Sequence, residues 1–271
     1  MNLRTRVTLT GIGCLASATA AAYVPPSFHV LKNLARKHVQ LESGVFRHTV
    51  SFFRKNGEIA KSVNETLILR ESGLVTVRVL DEAGTEIARH DRRIHGSKGT
   101  EVGRPVSYDL LFVRGAESLE THLKSLGLPV RPEAEMPLPY VSEPETIMSR
   151  FENRVAIVIG QSPETLAKGM QLWVEKDSLL PLRAVLAARE ATGNEALEYR
   201  LSGYQVYKSA LYPRTLRIFR NEVLWARVET QDVKLDVKGA ALESAAAPAK
   251  SSGEPDSSTR NFLDDYFKYV R

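Results

Sequence analysis

The chain has 271 residues, a formal net charge of +5 and 43% hydrophobic residues. That length suits one large β domain or two smaller ones, and the charge is too small and too dispersed for a nucleic-acid-binding face. The single cysteine, Cys14, leaves the rest of the chain without a disulfide, a thiolate nucleophile or a cysteine metal ligand, so the core alone must hold the fold.

Residues 1–22 come first. Arg4 and Arg6 form a short basic start, residues 7–22 carry no charge, and the segment ends in small residues with A-x-A frames at Ala18–Ala20 and Ala20–Ala22. This is the pattern of a secretory signal peptide, cleaved near Ala20 or Ala22. An uncleaved anchor is the alternative, although the apolar run is shorter than the roughly 18 residues of a spanning helix. Cys14 lacks the preceding Leu of a lipidation site. Without Arg4 and Arg6 the net charge falls to about +3.

Ser27 is placed to cap a helix in which Val30, Leu31, Leu34 and Leu41 recur at helical spacing, with His38 on the same face and Gly44 as the stop. The period then changes. Residues 45–54 and 58–70 are rich in β-branched and aromatic residues and flank Lys55-Asn56-Gly57, a strong hairpin signal. Residues 74–80 alternate, with Val75, Val77 and Val79 on one face, and Asp81–Gly84 turns the chain into residues 85–92. This predicts a four-strand antiparallel meander.

Residues 95–105 read as a Gly-rich loop and 106–113 as a strand. Leu119, Leu123 and Leu126 mark a short helix, and four prolines in 129–139 mark an irregular connection. Ser142-Glu143-Pro144-Glu145 fits a capping box, which predicts a helix with Ile147, Met148 and Phe151 on its apolar face. Strand patterns resume at 154–159, 172–175, 182–191, 195–207, 213–220 and 223–237. The total is about ten strands, in two meanders separated by two short helices. Residues 239–259 hold Ala, Ser, Pro, Gly and charges and read as a flexible linker. Phe262, Leu263, Tyr266, Phe267 and Val270 return at helical spacing in a terminal helix, whose simplest use is to dock on its own domain.

The sequence advertises no catalytic constellation. G-x-S-x-G and H-E-x-x-H are absent, and the six histidines are scattered without metal spacing. Gly96-Ser97-Lys98-Gly99-Thr100 lacks the phosphate-loop frame, and Asp264-Asp265 sits on the tail helix as solvated charge. His38 and His48 lie on apolar faces, where packing is the simpler role. The basic stretch Arg89, Arg92, Arg93 and Lys98 reads as a hairpin surface. The sequence therefore predicts no catalytic, metal or cofactor site.

It is rich instead in apolar strand surface: Phe46, Val50 and Phe52; Val75, Val77 and Val79; Val155, Ile157 and Ile159; and Trp173, Leu216 and Ile218. These residues either fill a closed core or line the concave side of an open half-barrel under lid helices, where an apolar ligand would bind. Alternation alone serves both.

The order of elements resembles the periplasmic lipoprotein-carrier superfamily, the LolA/LolB-like proteins of outer-membrane lipoprotein sorting. Leu172-Trp173-Val174-Glu175-Lys176-Asp177-Ser178-Leu179-Leu180-Pro181-Leu182-Arg183 resembles the family's W-V-D-K-x-x-x-L-P-L-R turn, and Tyr199–Tyr207 with Leu211-Tyr212-Pro213-Arg214 resembles the strand and Y/W-x-P entry that follow. The likeness covers residues 27–238.

The resemblance implies a mainly β fold, a curved antiparallel half-barrel with helices over its concave face. It implies a periplasmic carrier of the acyl chains of lipids or lipoproteins, with no cofactor. The rival reading is a non-catalytic interaction protein that docks on an envelope membrane complex through its sheet or terminal helix. The family's lid-locking arginine has its nearest match in Arg78, although alternation puts Arg78 on the face opposite Val77 and Val79. The expected organisation is a signal peptide at 1–22, the half-barrel at 23–238, a linker at 239–259 and a C-terminal amphipathic helix at 260–271.

Overall fold

The computed structural model describes residues 24–38, 41–94, 107–112, 119, 121–123, 146–160, 170–190, 193–208, 210–247 and 257–270. The signal-peptide segment, the Gly-rich loop, the proline-rich connection and the capping-box residues all lie outside them.

Helix α1 (Ser27–His38) begins where Pro26 can accept its first hydrogen bonds, from the amides of His29 and Val30. Its stripe of Val30, Leu31, Leu34 and Ala35 is buried. Gly44, read as the helix stop, instead opens strand β1 (Gly44–Phe53). A Cβ there would lie 2.8 Å from the Lys234 carbonyl oxygen, so the close approach of two strands requires glycine.

Strands β2 (Ile59–Leu69), β3 (Leu74–Leu80) and β4 (Glu86–Arg93) complete the first meander. Its three turns are built alike. Gly57, Gly73 and Gly84 have φ between 75° and 84°, and each donates its amide to the carbonyl three residues back, on Arg54, Arg70 and Asp81. This is a type I turn closed by a left-handed glycine, a standard hairpin loop.

The second half contains β5 (Thr146–Phe151), β6 (Arg154–Ile159), β7 (Gln171–Glu175), β8 (Pro181–Glu190) and β9 (Gly193–Ser202). A small hairpin of β10 (Gln205–Tyr207) and β11 (Ala210–Tyr212) precedes β12 (Thr215–Arg220) and β13 (Val223–Leu235). All strands but β10 and β11 form one antiparallel sheet in the order β4-β3-β2-β1-β13-β12-β9-β8-β7-β6-β5. The long β13 pairs with β1 and so joins the two meanders. The sheet stays open, with β4 and β5 at its edges.

Two predicted elements change type. The stretch read as a strand over 106–113 forms a 3-10 helix at Ser107–Leu111. Buried Asp109 takes both terminal nitrogens of Arg92, at 2.6 and 2.7 Å, while Leu110, Leu111 and Phe112 enter the core. A short apolar run fits either period, and here the ion pair fixes the turn. The predicted helix carrying Ile147, Met148 and Phe151 is strand β5. Pairing with β6 sends Ile147 and Phe151 to one face, against the cluster of Val158 and Trp173, and Met148 to the other, opposite Ile157.

The tail also differs. Residues Gly239–Ala246, read as linker, form helix α2. Alanine favours the helix, and Leu242 and Ala246 pack on Val45 and Ile68 of the outer sheet face. The terminal helix α3 spans Ser257–Tyr269 and lies against the inner face. Thus α1, the 3-10 helix and α3 share one cluster with the inner face, and α2 covers part of the other.

Candidate functional site

On β1, Phe46, His48, Val50 and Phe52 face inward, since residues two apart share a side of the strand. Cross-strand pairing extends this face. Phe52 opposes Ala226, Ala226 opposes Ile218, Ile218 opposes Tyr199, and Tyr199 opposes Ala184. Ten predicted cavity residues meet in one cluster: Phe46, Val50, Phe52, Val75, Val77, Val79, Ile157, Ile159, Leu216 and Ile218. None is more than 3% exposed.

Two do not join it. Val155 is half-buried at the end of the β5–β6 hairpin. Trp173 alternates with inward Leu172 and Val174, so it faces outward, in a separate cluster with Ala156, Val158 and Leu182. Arg78 also faces outward. It bonds Glu86 at 2.7 Å and the carbonyl of Ala245 at 2.5 Å, so it fastens the end of α2. These contacts put Arg78 on the side of the sheet that alternation gave it, opposite Val77 and Val79.

At the centre of the apolar face, four polar side chains come together. His48 Nδ1 lies 2.7 Å from Glu65 Oε1, and His48 Nε2 lies 3.1 Å from the Tyr212 hydroxyl. The Tyr266 hydroxyl donates to Glu65 Oε2 at 2.9 Å. With its proton on Nδ1, His48 donates to Glu65 and accepts from Tyr212. All four side chains are at most 1% exposed. An isolated carboxylate at such depth would cost several kcal/mol, so these bonds are a condition for Glu65 being there.

Helix α3 completes the group. Phe262 stacks on Phe52 with centroids 5.3 Å apart, Tyr266 meets the same ring edge-on at 5.6 Å, and Phe267 lies 5.3 Å from the His90 ring. Arg220 reaches Asp265 at 2.9 Å. Burial, together with the nearby charge of Arg92, holds His90 below the usual histidine range.

The outer face has a different chemistry. Trp173, Arg183, Arg200, Arg217, Arg227 and Ser51 are directly opposed, each to the next, across six adjacent strands. Glu198 accepts from Arg183 at 2.6 Å and Arg200 at 2.5 Å, and Glu152 accepts from Arg217 at 2.9 Å. Arg200 also lies 4.1 Å from the Phe219 ring centroid. Burial pushes the Glu198 carboxyl up, but hydrogen bonds from the two arginines outweigh it and hold the group below the usual range.

Comparison of the sequence with protein-family models and with curated proteins finds no match. Solved structures do match. A LolA-superfamily protein from Nitrosomonas europaea is 10% identical, over 79% of this chain and 96% of its own, with a TM-score of 0.48. A putative outer membrane lipoprotein-sorting protein domain from Vibrio parahaemolyticus is 10% identical, over 89% and 97%, with a TM-score of 0.45. A DUF1329 family protein from Desulfovibrio piger is 12% identical, over 80% and 96%, with a TM-score of 0.40.

Glu65, Tyr212 and Tyr266 are absent from the sequence-derived site. A signal existed. His48 interrupts the stripe Phe46, Val50, Phe52, and Glu65 interrupts Val63, Leu67, Leu69. Once the Asn56-Gly57 turn sets the register, the two interruptions oppose each other. Nothing local in the sequence links Tyr212 or Tyr266 to them.

Proposed function

We propose that the protein is a periplasmic, non-enzymatic carrier that binds the acyl chains of lipids or lipoproteins in outer-membrane lipoprotein sorting. One observation carries this reading. The continuous apolar inner face is covered by α1, the 3-10 helix and α3 rather than by a second sheet. Separate short helices can move without breaking any strand ladder, so the face can open to a chain. Burial of alkyl chain yields about 0.8 kcal/mol per methylene, so one chain supplies several kcal/mol. No cofactor or covalent step is needed. In this reading residues 1–22 direct export and are removed near Ala20 or Ala22.

The rival, docking on an envelope complex through the C-terminal helix, is weakened by the same geometry. The apolar side of α3, at Leu263 and Tyr266, and Val270 just after it are already buried in their own domain. Native mass spectrometry with lipid extraction, on protein purified from its own periplasm, tests the proposal. Acylated cargo in near-stoichiometric amount is the expected result. A clean apo mass with no uptake of added palmitate would sink it.

A further inference from the structure

The carrier reading leaves unexplained why a carboxylate and a histidine stand in the middle of an apolar face. We infer that Glu65, His48 and Tyr212 form a polar recognition point for the hydroxyl or amine of an acylated ligand's head, and that Tyr266 of α3 is the group such a ligand displaces. This inference rests on the carrier reading.

The sheet supplies Glu65 and His48, and the β10–β11 hairpin supplies Tyr212. Only Tyr266 comes from a helix, and its hydroxyl is bonded to Glu65 Oε2. Leu263, one turn before Tyr266 on α3, and Val270, which follows the helix and donates its amide to the Tyr266 carbonyl, are both buried. Around Tyr266 the buried side of α3 thus sets a hydroxyl donor beside apolar side chains, the chemical outline of an acyl chain bearing a hydroxyl or ammonium head.

The ion pair of α3 with β12, Arg220 to Asp265, joins side chains 28% and 40% exposed and contributes little. Helix α2 is anchored separately on the outer face through Arg78 and Arg89, which hold the carbonyls of Ala245 and Ala246. Release of α3 therefore leaves α2 and the strand ladders intact. A ligand that entered without a donor would take the Tyr266 bond from Glu65 Oε2 and put nothing in its place, and a site of that kind discriminates against analogues lacking the donor.

The test uses the full chain and two probes, 1-monopalmitoylglycerol, which carries hydroxyl donors, and methyl palmitate, which carries none. Affinities come from displacement of N-phenyl-1-naphthylamine. The expected result is a preference for monopalmitoylglycerol of roughly tenfold or more. Glu65→Gln shrinks that preference to a few-fold, and Tyr212→Phe does the same should the Glu65 variant fold poorly. Tyr266→Phe tightens both probes by roughly tenfold, because the ligand no longer displaces a bonded hydroxyl. Hydrogen exchange should show α3 amides losing protection when monopalmitoylglycerol binds.

Three results overturn the inference while leaving the carrier reading standing: equal affinity for the two probes, no response to Tyr266→Phe, or an α3 that stays protected with ligand bound. Failure of every form of the protein to bind either probe or palmitate removes the carrier reading, and this inference with it.

Discussion

Two rows of side chains, one residue apart on the same strands, face opposite ways across the centre of the sheet. The inner row holds Ala184, Tyr199, Ile218, Ala226 and Phe52. The outer row holds Arg183, Arg200, Arg217, Arg227 and Ser51. Both rows share the same backbone ladders, so the ladders cannot account for their difference. The inner row is sealed under helices, and the polar side chains beside it, His48, Glu65, Tyr212 and Tyr266, each bond to another of the four. The outer row lines up four arginines, an arrangement that costs about 0.2–1 kcal/mol per opposed like-charge pair. Glutamates and aromatic rings offset that cost locally, through Glu198, Glu152 and Phe219. An open, half-solvated surface can be repaired contact by contact, whereas a sealed face must be right throughout.

Adjacent residues on β12 break or confirm this contrast most directly. Ile218→Ala should cost about 2–5 kcal/mol, because it opens a cavity in a face with no exposure at that position. Arg217→Ala, one step away, should cost no more than about 1 kcal/mol, since its side chain is 33% exposed and its partner Glu152 is 48% exposed. Urea unfolding of both variants decides the matter. Equal costs would mean that the two faces carry similar weight. Arg200→Ala should fall between them, at about 1–2 kcal/mol, because it loses both Glu198 and the Phe219 ring. Arg200→Lys should recover only part of that loss, since an ammonium lacks the planar fork.

Alternation made most of the two faces readable in advance. It grouped Val75 with Val77 and Val79 and set Arg78 against them, and the Asn56-Gly57 turn fixed the first hairpin. It failed where one pattern satisfies two periods. Ile147, Met148 and Phe151 lie at helical spacing, yet strand pairing with β6 claims them. Leu110, Leu111 and Phe112 form an apolar run, yet the Arg92–Asp109 ion pair turns it into a 3-10 helix. Trp173 needed the local register, because only its neighbours Leu172 and Val174 reveal its side. The inner polar group was half legible. Its β1–β2 members lie 17 residues apart in a predictable hairpin, whereas Tyr266 lies 201 residues from Glu65. Contacts at that separation are set by tertiary packing.

The pH response sharpens the comparison further. Glu198 titrates below the usual range in the folded protein, under the hydrogen bonds of Arg183 and Arg200. Its contribution is present above the unfolded pKa, near 4.5, and is lost as pH falls through the lower folded value. Glu198→Gln should therefore flatten the acid side of the stability curve below about pH 4.5. His90, beside Phe267, is also depressed, so its contribution is present above pH 6.5 and lost as pH falls from there. Hydrogen exchange of α3 should loosen over that range in the parent chain and respond less in His90→Phe.

The smallest effects lie in the turns, and they should have opposite signs. Gly57 has φ of 84°, and a Cβ added there would meet nothing within 4 Å. The cost of Gly57→Ala is therefore conformational alone, about 1 kcal/mol. The β12–β13 turn places Asn221 and Glu222 at φ of 48° and 65°, the pattern of a two-residue turn that favours Asn-Gly. Glu222→Gly relieves a side chain from left-handed backbone and should stabilise by about 0.5 kcal/mol, despite the freedom that glycine adds to the unfolded chain. A raised urea midpoint with an unchanged slope for Glu222→Gly, beside a lowered midpoint for Gly57→Ala, would place both effects in the backbone. A loss in both variants would mean instead that the Glu222 side chain holds something at that end of the sheet.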